Sequence, residues 1–169
     1  MKKIIFYLSI ILLLTACSNK NNLVKNELDK NSKELANLII NSSRYIDKQE
    51  AKEFSKSIIL YSSFLAKKYE VNTHPLIHNT LINLNLKEKG LCYHYANDLL
   101  KYINYKNFKS FNFKKIISKR NEYFEHTALI LTRKDISFEN SIVLDAWRNA
   151  GKLYFSKVKN DKQYKWELK

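Results

Sequence analysis

The spacing of apolar residues changes once along the chain, shortly after Tyr105, and this change limits the folds available to it. Before Tyr105, apolar residues recur at the three- and four-residue spacing of helices that bury one face. They do so over residues 28–46, 51–65, 77–84 and 92–103. After Tyr105 the chain turns to short runs of β-branched and aromatic residues, which are typical of strands. We therefore predict an α+β fold in which N-terminal helices pack on an antiparallel sheet.

Local signals place the starts of two of these helices. Asp47, followed three residues later by Glu50, has the pattern of a capping box at the start of the second helix. Pro75 stands where proline favours the first turn of the third helix. The predicted helices therefore have defined starts as well as apolar faces.

The second part of the chain contains four candidate strands. They cover residues 111–117, 123–132, 141–147 and 153–158, with a turn at 149–151 between the last two. We expect the second and third strands to form a hairpin in which His126 lies directly opposite Asp145, with a loop over 133–138. In this register both faces of the hairpin are apolar, and the two polar side chains share one face.

The N-terminus has the layout of an export signal. A basic start at Lys2 and Lys3 precedes an apolar stretch over residues 4–14 that is too short to span a bilayer. The following Leu14-Thr15-Ala16-Cys17 resembles the lipobox of bacterial lipoproteins, which implies cleavage before Cys17 and acylation of that cysteine. Ordinary secretion, with Cys17 left free, is the alternative. We predict a lipoprotein signal peptide over 1–16, a tether over 17–30 and a single α+β domain over 31–169.

This organisation predicts an exported protein that is lipid-anchored to the bacterial membrane through Cys17. Ser18 stands where an aspartate would indicate inner-membrane retention, which favours the periplasmic side of the outer membrane in a Gram-negative cell. The net charge of +14 comes from scattered lysines and suits anionic lipids or acidic wall polymers. Because an exported, tethered protein seldom meets nucleic acid, we expect no nucleic-acid partner.

Cys92 is the residue whose side chain and position are best suited to a chemical reaction. Gly90 interrupts the helical pattern, so Cys92 begins the next helix and is the first residue of its buried stripe, with His94 on the opposite side. If Cys17 is lipidated, Cys92 has no disulfide partner in its own chain. Such a thiol is buried and inert, paired with another chain, or reactive. The exposed N–H groups of a helix start favour a thiolate and could bind an oxyanion.

The order of these elements resembles that of the transglutaminase-like and papain-like cysteine hydrolases. In residues 86–147, a cysteine at a helix start precedes a strand with His126 and then a strand with Asp145 followed by an aromatic residue. The resemblance implies a papain/transglutaminase-core fold, with Cys92 as nucleophile, His126 as base and then acid, and Asp145 as the carboxylate that orients His126. The gap from Cys92 to His126 is much shorter than in papain itself.

Two further site residues follow from the same resemblance. Papain-type enzymes carry an upstream glutamine for the oxyanion, and this chain has none between Gln49 and Cys92. Asn83 or Asn85 would have to replace it, unless backbone N–H groups suffice. Trp147 is expected in the core or as a wall of the cleft.

Other interpretations of the same residues remain open. Cys92 could be an inert core thiol and His126 a satisfied interior histidine. Arg148 could pair with Asp145, although three-residue spacing within a strand would point the two side chains to opposite faces. Cys92, His94 and His126 do not have the spacing of a zinc site, so we expect no metal and no cofactor.

The sequence thus predicts an envelope lipoprotein with a Cys-His-Asp thiol hydrolase or acyl-transfer site that acts on amide bonds of peptides or of cell-wall peptides. The alternative is a non-catalytic envelope lipoprotein that uses the same fold for binding or scaffolding.

Overall fold

The computed structural model describes residues 26–169, in which four helices precede a five-stranded antiparallel sheet. The α+β prediction is confirmed. The helices are α1 (26–40), α2 (Lys48–Lys68), α3 (Pro75–Asn83) and α4 (Cys92–Lys106). The strands are β1 (Asn112–Ser118), β2 (His126–Thr132), β3 (Ile142–Asp145), β4 (Tyr154–Lys157) and β5 (Glu167–Leu168). Their order across the sheet is β4-β3-β2-β1-β5.

The starts of α2 and α3 agree with the sequence signals. Asp47 caps α2 by accepting a hydrogen bond from the N–H of Glu50 at 2.6 Å, and Pro75 opens α3. The capping box is not completed, because the Glu50 carboxylate instead accepts the N–H of Ser110 at 2.7 Å. Glu50 thereby connects the start of α2 to the segment between α4 and β1.

Apolar side chains cover both faces of the sheet. One cluster lies between the sheet and the helices and includes Phe54, Leu65, Leu99 and Leu129. A smaller cluster on the other face contains Ile116, Ala128, Ile130, Val143 and Trp166. The central strand β2 is therefore buried on both sides, as its continuous apolar sequence predicted.

The predicted register of the β2–β3 hairpin is wrong by two residues. Leu129 pairs with Leu144, and the same register puts Asp145 across from Ala128 rather than from His126. A shift of two residues keeps every side chain on its original face. His126 and Asp145 thus remain on one face as diagonal neighbours.

The connection between the two strands explains the difference in register. It contains a short 3₁₀ helix, Phe138–Asn140, so that β3 begins only at Ile142. The hydroxyl of Ser141 donates to Thr132 Oγ1 at 2.8 Å and closes the end of the hairpin. The sequence pattern gave no sign of this extra turn.

Three of the four predicted strands are also longer than the observed ones, while β1 has the predicted length. Residues 119–125 form turns, with positive φ at Lys119 and Asn121, so that β2 starts at His126. The turn before β4 needs a glycine, because Gly151 has φ +92° and a Cβ there would lie 2.2 Å from the Cβ of Ala66.

The N-terminal part of the domain begins earlier than expected. Residues 26–30, which we assigned to the tether, are helical, and Leu28 packs against the core. The signal peptide, Cys17 and the rest of the tether lie outside the described residues. Within residues 26–169, no helix has the length and apolar character needed to cross a membrane.

Candidate active site

A cleft of about 290 Å³ opens at the start of α4. Cys92, His126 and Trp147 all line it. Its walls are the N-terminal half of α3, the 119–125 turn and the segment around Tyr164. Asp145 lies behind His126 and is 1% exposed. The structure therefore brings together Cys92, His126 and Asp145, which lie on three separate elements and which the sequence analysis singled out.

His126 and Asp145 form a buried pair. His126 Nε2 lies 2.7 Å from Asp145 Oδ2, which leaves Nδ1 as the ring nitrogen available to a partner in the cleft. Burial alone would lower the pKa of His126, but hydrogen bonds and charge from Asp145 and Cys92 outweigh it and raise this pKa to about 9. The imidazole ring is therefore protonated at neutral pH.

The backbone fixes the other oxygen of Asp145. Because β3 ends at Asp145, the chain turns back, and the N–H groups of Trp147 and Arg148 both donate to Asp145 Oδ1 at 3.1 Å. Burial alone would raise the pKa of Asp145, but His126 and the Arg148 guanidinium hold it below its usual value. The carboxylate is thus ionised and held by groups on both sides.

Arg148 is a partner of Asp145 after all, so our argument from strand geometry is wrong. Arg148 Nε donates to Asp145 Oδ2 at 3.0 Å, because both residues lie in a turn rather than in a continuous strand. The same guanidinium donates to both carboxylate oxygens of Asp161, at 3.1 Å and 2.6 Å. Its charge is therefore shared by two carboxylates.

The C-terminal segment encloses the histidine. The His126 ring packs against Trp147, Tyr164 and Trp166, with ring centroids 4.8, 4.5 and 5.4 Å away. Trp166 Nε1 also donates to Asp161 at 2.8 Å. The sequence analysis missed Asp161 and Tyr164, although a cluster of aromatic residues near the C-terminus was a visible signal.

Cys92 is the first residue of α4, as predicted, but it is half-buried at the cleft rather than sealed in the core. Its sulfur makes a long contact of 4.0 Å with the carbonyl oxygen of Glu125. The proximity of Cys92 contributes to the raised pKa of His126. The thiol is therefore accessible from the same cleft that the imidazole ring of His126 lines.

His94 shapes the start of α4. Its Nδ1 accepts hydrogen bonds from the N–H groups of Gly90 and Leu91, both at 3.2 Å. Burial, helped by the charge of Lys89, lowers the pKa of His94, which agrees with a neutral ring that accepts at Nδ1. His94 is thus occupied as a helix cap and does not join Cys92 and His126 in a metal site.

Two backbone N–H groups at the start of α4 are available as hydrogen-bond donors. In the part of the chain that the structure describes, the N–H groups of Cys92 and Tyr93 have no protein acceptor. These are the first two N–H groups of the helix, where the positive end of the helix dipole lies. They are suited to hold a negatively charged oxygen beside the sulfur.

The predicted oxyanion residues are not in the cleft. Asn83 is exposed at the C-terminal end of α3, and Asn85 is exposed beyond it in the left-handed conformation. Asn79, one helical turn before Asn83, lines the cleft instead. Trp147 Nε1 donates to Asn79 Oδ1 at 3.1 Å, which leaves the amide NH₂ of Asn79 as a donor.

The histidines His74 and His78 each bond a backbone group. His74 Nδ1 accepts the N–H of Leu76 at 3.3 Å and caps the helix, while the buried His78 bonds the carbonyl of Lys89 at 2.8 Å. His78 is therefore buried and is not part of the surface of α3. Across residues 26–169, no three side chains of His, Cys, Asp or Glu come together in a group that could hold a metal ion.

Comparison with known proteins identifies the N-terminus. The family model of the prokaryotic membrane lipoprotein lipid attachment site matches residues 1–18. No curated protein and no solved structure matches the chain. The protein therefore carries a lipid attachment site that includes Cys17 and is an exported, lipid-anchored envelope protein. The resemblance of residues 86–147 to cysteine hydrolases gains no support from these comparisons.

Proposed function

We propose that this lipoprotein is a thiol hydrolase or acyltransferase of the transglutaminase-like or papain-like type, with Cys92 as nucleophile. One observation carries the proposal. The half-exposed sulfur of Cys92 shares a cleft with a histidine whose pKa is raised to about 9 by Asp145 and by Cys92 itself. Strongly shifted titratable groups in a cleft are a mark of functional sites.

In the proposed reaction, the Cys92 sulfur attacks the carbonyl carbon of an amide, and the carbonyl oxygen gains the negative charge. The His126 imidazolium gives its proton to the amide nitrogen as the C–N bond breaks, so the amine leaves neutral and Cys92 carries a thioester. Neutral His126 then takes a proton from water while that water attacks the thioester. Cleavage of the C–S bond releases the acid and regenerates the starting pair.

The negative oxygen needs donors during both steps. The N–H groups of Cys92 and Tyr93 and the amide NH₂ of Asn79 are the candidates in the cleft. Such donors stabilise charge that exists only in the transition state and typically account for a factor of about 10² each in rate. Asn79 thus takes the role that we first assigned to Asn83 or Asn85.

The substrate class follows from location. An enzyme tethered in the envelope meets peptides and the peptides of the cell wall, so amide bonds of these polymers are the proposed substrates. If an amine replaces water in the second step, the same site transfers the acyl group instead. Ser18 after the anchored cysteine supports the outer membrane as the place of action in a Gram-negative cell.

The test is turnover of peptide mixtures and of wall-derived peptides by the full-length lipoprotein in detergent, followed by mass spectrometry of new termini. We expect cleavage by the wild type and none by Cys92→Ala, with a thioester adduct at Cys92 when the reaction is quenched in acid. Cleavage that persists in Cys92→Ala would contradict the proposal. Absence of turnover together with an unreactive Cys92 would support the non-catalytic alternative.

A further inference from the structure

An exposed ridge on α2 combines apolar and basic side chains. Leu60 and Phe64 are 47% and 52% exposed although they are large and apolar. Lys56 and Lys67 lie on the same helical face, at spacings of four and three residues, and both are exposed. We name these four residues the α2 ridge.

The apolar surface extends from the ridge onto α4. The Phe64 ring stacks on Tyr61 with ring centroids 5.6 Å apart, and Tyr61 stacks on Tyr102 at 4.0 Å. Lys106 Nζ lies 5.6 Å from the Tyr102 ring and adds a third cation at this end. Among the ion pairs of residues 26–169, none uses Lys56, Lys67 or Lys106.

The lipid anchor limits how far the domain can move from the membrane. Eight residues separate Cys17 from residue 26, and whatever their conformation they reach at most about 30 Å. A domain of this size is about 40 Å across, so the tether keeps the start of α1 within less than one domain width of the bilayer. Glu27 and Leu28 share a surface cavity with Ile59 and Ser63, which directly precede Leu60 and Phe64.

We propose that the α2 ridge, continued by Tyr61 and Tyr102, is a membrane-docking surface for the anionic phospholipid leaflet that holds the anchor. Aromatic and aliphatic side chains would enter the headgroup region, while the lysines would extend to the lipid phosphates. Aromatic rings with cations around them are typical of protein surfaces at this interface. The proposal does not depend on any chemistry at Cys92.

The experiment is photo-crosslinking of the full-length lipidated protein in vesicles of phosphatidylcholine with phosphatidylglycerol. Phe64→p-benzoylphenylalanine places the probe on the ridge. Leu168→p-benzoylphenylalanine is the matched control, because Leu168 is 49% exposed in the edge strand β5, away from the helices. We expect a several-fold larger yield of lipid adduct at position 64 than at position 168.

Substitution of the ridge lysines is the second test in the same experiment. Replacing Lys56→Gln and Lys67→Gln together should lower the lipid adduct at position 64, as should high salt or vesicles of phosphatidylcholine alone. Equal lipid adducts at positions 64 and 168 would overturn the proposal. Adducts at position 64 to a second copy of the chain instead of lipid would also overturn it.

Discussion

His126 and Asp145 are joined by a 2.7 Å contact between Nε2 and Oδ2, with both side chains almost completely buried. This contact is the main reason that the pKa of His126 lies at about 9 despite burial, which by itself would lower it. The ring is therefore charged at neutral pH and presents its other nitrogen toward the cleft that contains Cys92. The predictions below test this relationship and the groups around it.

The pH dependence follows from the sign of the His126 shift. A pKa raised above its usual 6.5 gives a stabilisation that is complete below about pH 6.5 and is lost as the pH rises through about 9. We expect the free energy of unfolding to fall over this interval, and the fall to shrink in His126→Gln. Denaturant titrations at several pH values measure it. An equal fall in the variant would assign the effect to other groups.

Replacing Asp145→Asn keeps the shape of the side chain but removes its charge. The pKa of His126 should then fall below about 9, and any turnover should drop by about 10²–10⁴-fold because the ring loses its orientation and its counter-charge. NMR titration of the His126 ring measures the first effect. Asp135→Asn, at an exposed carboxylate bonded to Ser43, is the control and should leave His126 unchanged.

Arg148 is expected to be a major determinant of stability. Its side chain is 7% exposed and bonds both Asp145 and Asp161, so Arg148→Met leaves the buried carboxylate of Asp161 without its cation and leaves Asp145 with His126 as its ion-pair partner. We expect a loss of about 3 kcal/mol in the free energy of unfolding, measured by denaturant titration. Arg120→Met removes an exposed ion pair with Glu167 and should cost less than about 1 kcal/mol. Equal losses would contradict a central role for Arg148.

Substitutions at Asn79 and Asn83 test which asparagine donates to the oxyanion. Asn79→Asp retains an acceptor for Trp147 but removes the NH₂ donor, so kcat should fall by about 10²-fold with little change in KM. Asn83→Ala, at the exposed end of the same helix, should have no effect. A loss in Asn83→Ala with none in Asn79→Asp would restore the assignment made from the sequence.

The sequence predicted the elements that depend on local patterns. The stripe that begins at Cys92 and the two apolar runs with His126 and Asp145 were each visible within a short window. Side chains alternate between the two faces of a strand, and this alternation was enough to put His126 and Asp145 on one face. It did so even though the predicted register was wrong by two residues. The register itself depended on the 3₁₀ turn at Phe138–Asn140, which spacing does not reveal.

The residues that were missed are those brought in by tertiary contacts. Arg148 contacts Asp145 because β3 ends there and the backbone turns, and no strand pattern marks that end. Asp161 and Tyr164 reach the site only because the C-terminal segment returns to the sheet. Asn79 was overlooked because the direction in which α3 faces the cleft depends on how it packs, not on its own sequence.

The alkylation rate of Cys92 as a function of pH tests the central claim most directly. The full-length protein and its His126→Gln variant are treated in parallel with iodoacetamide. The adduct is located by peptide mapping. We predict that the wild type reacts readily at about pH 6, where a free thiol with a pKa of about 8.5 is nearly inert, and that His126→Gln loses this reactivity. A wild-type thiol that reacts only as a free thiol does, or not at all in the native protein, would contradict the account.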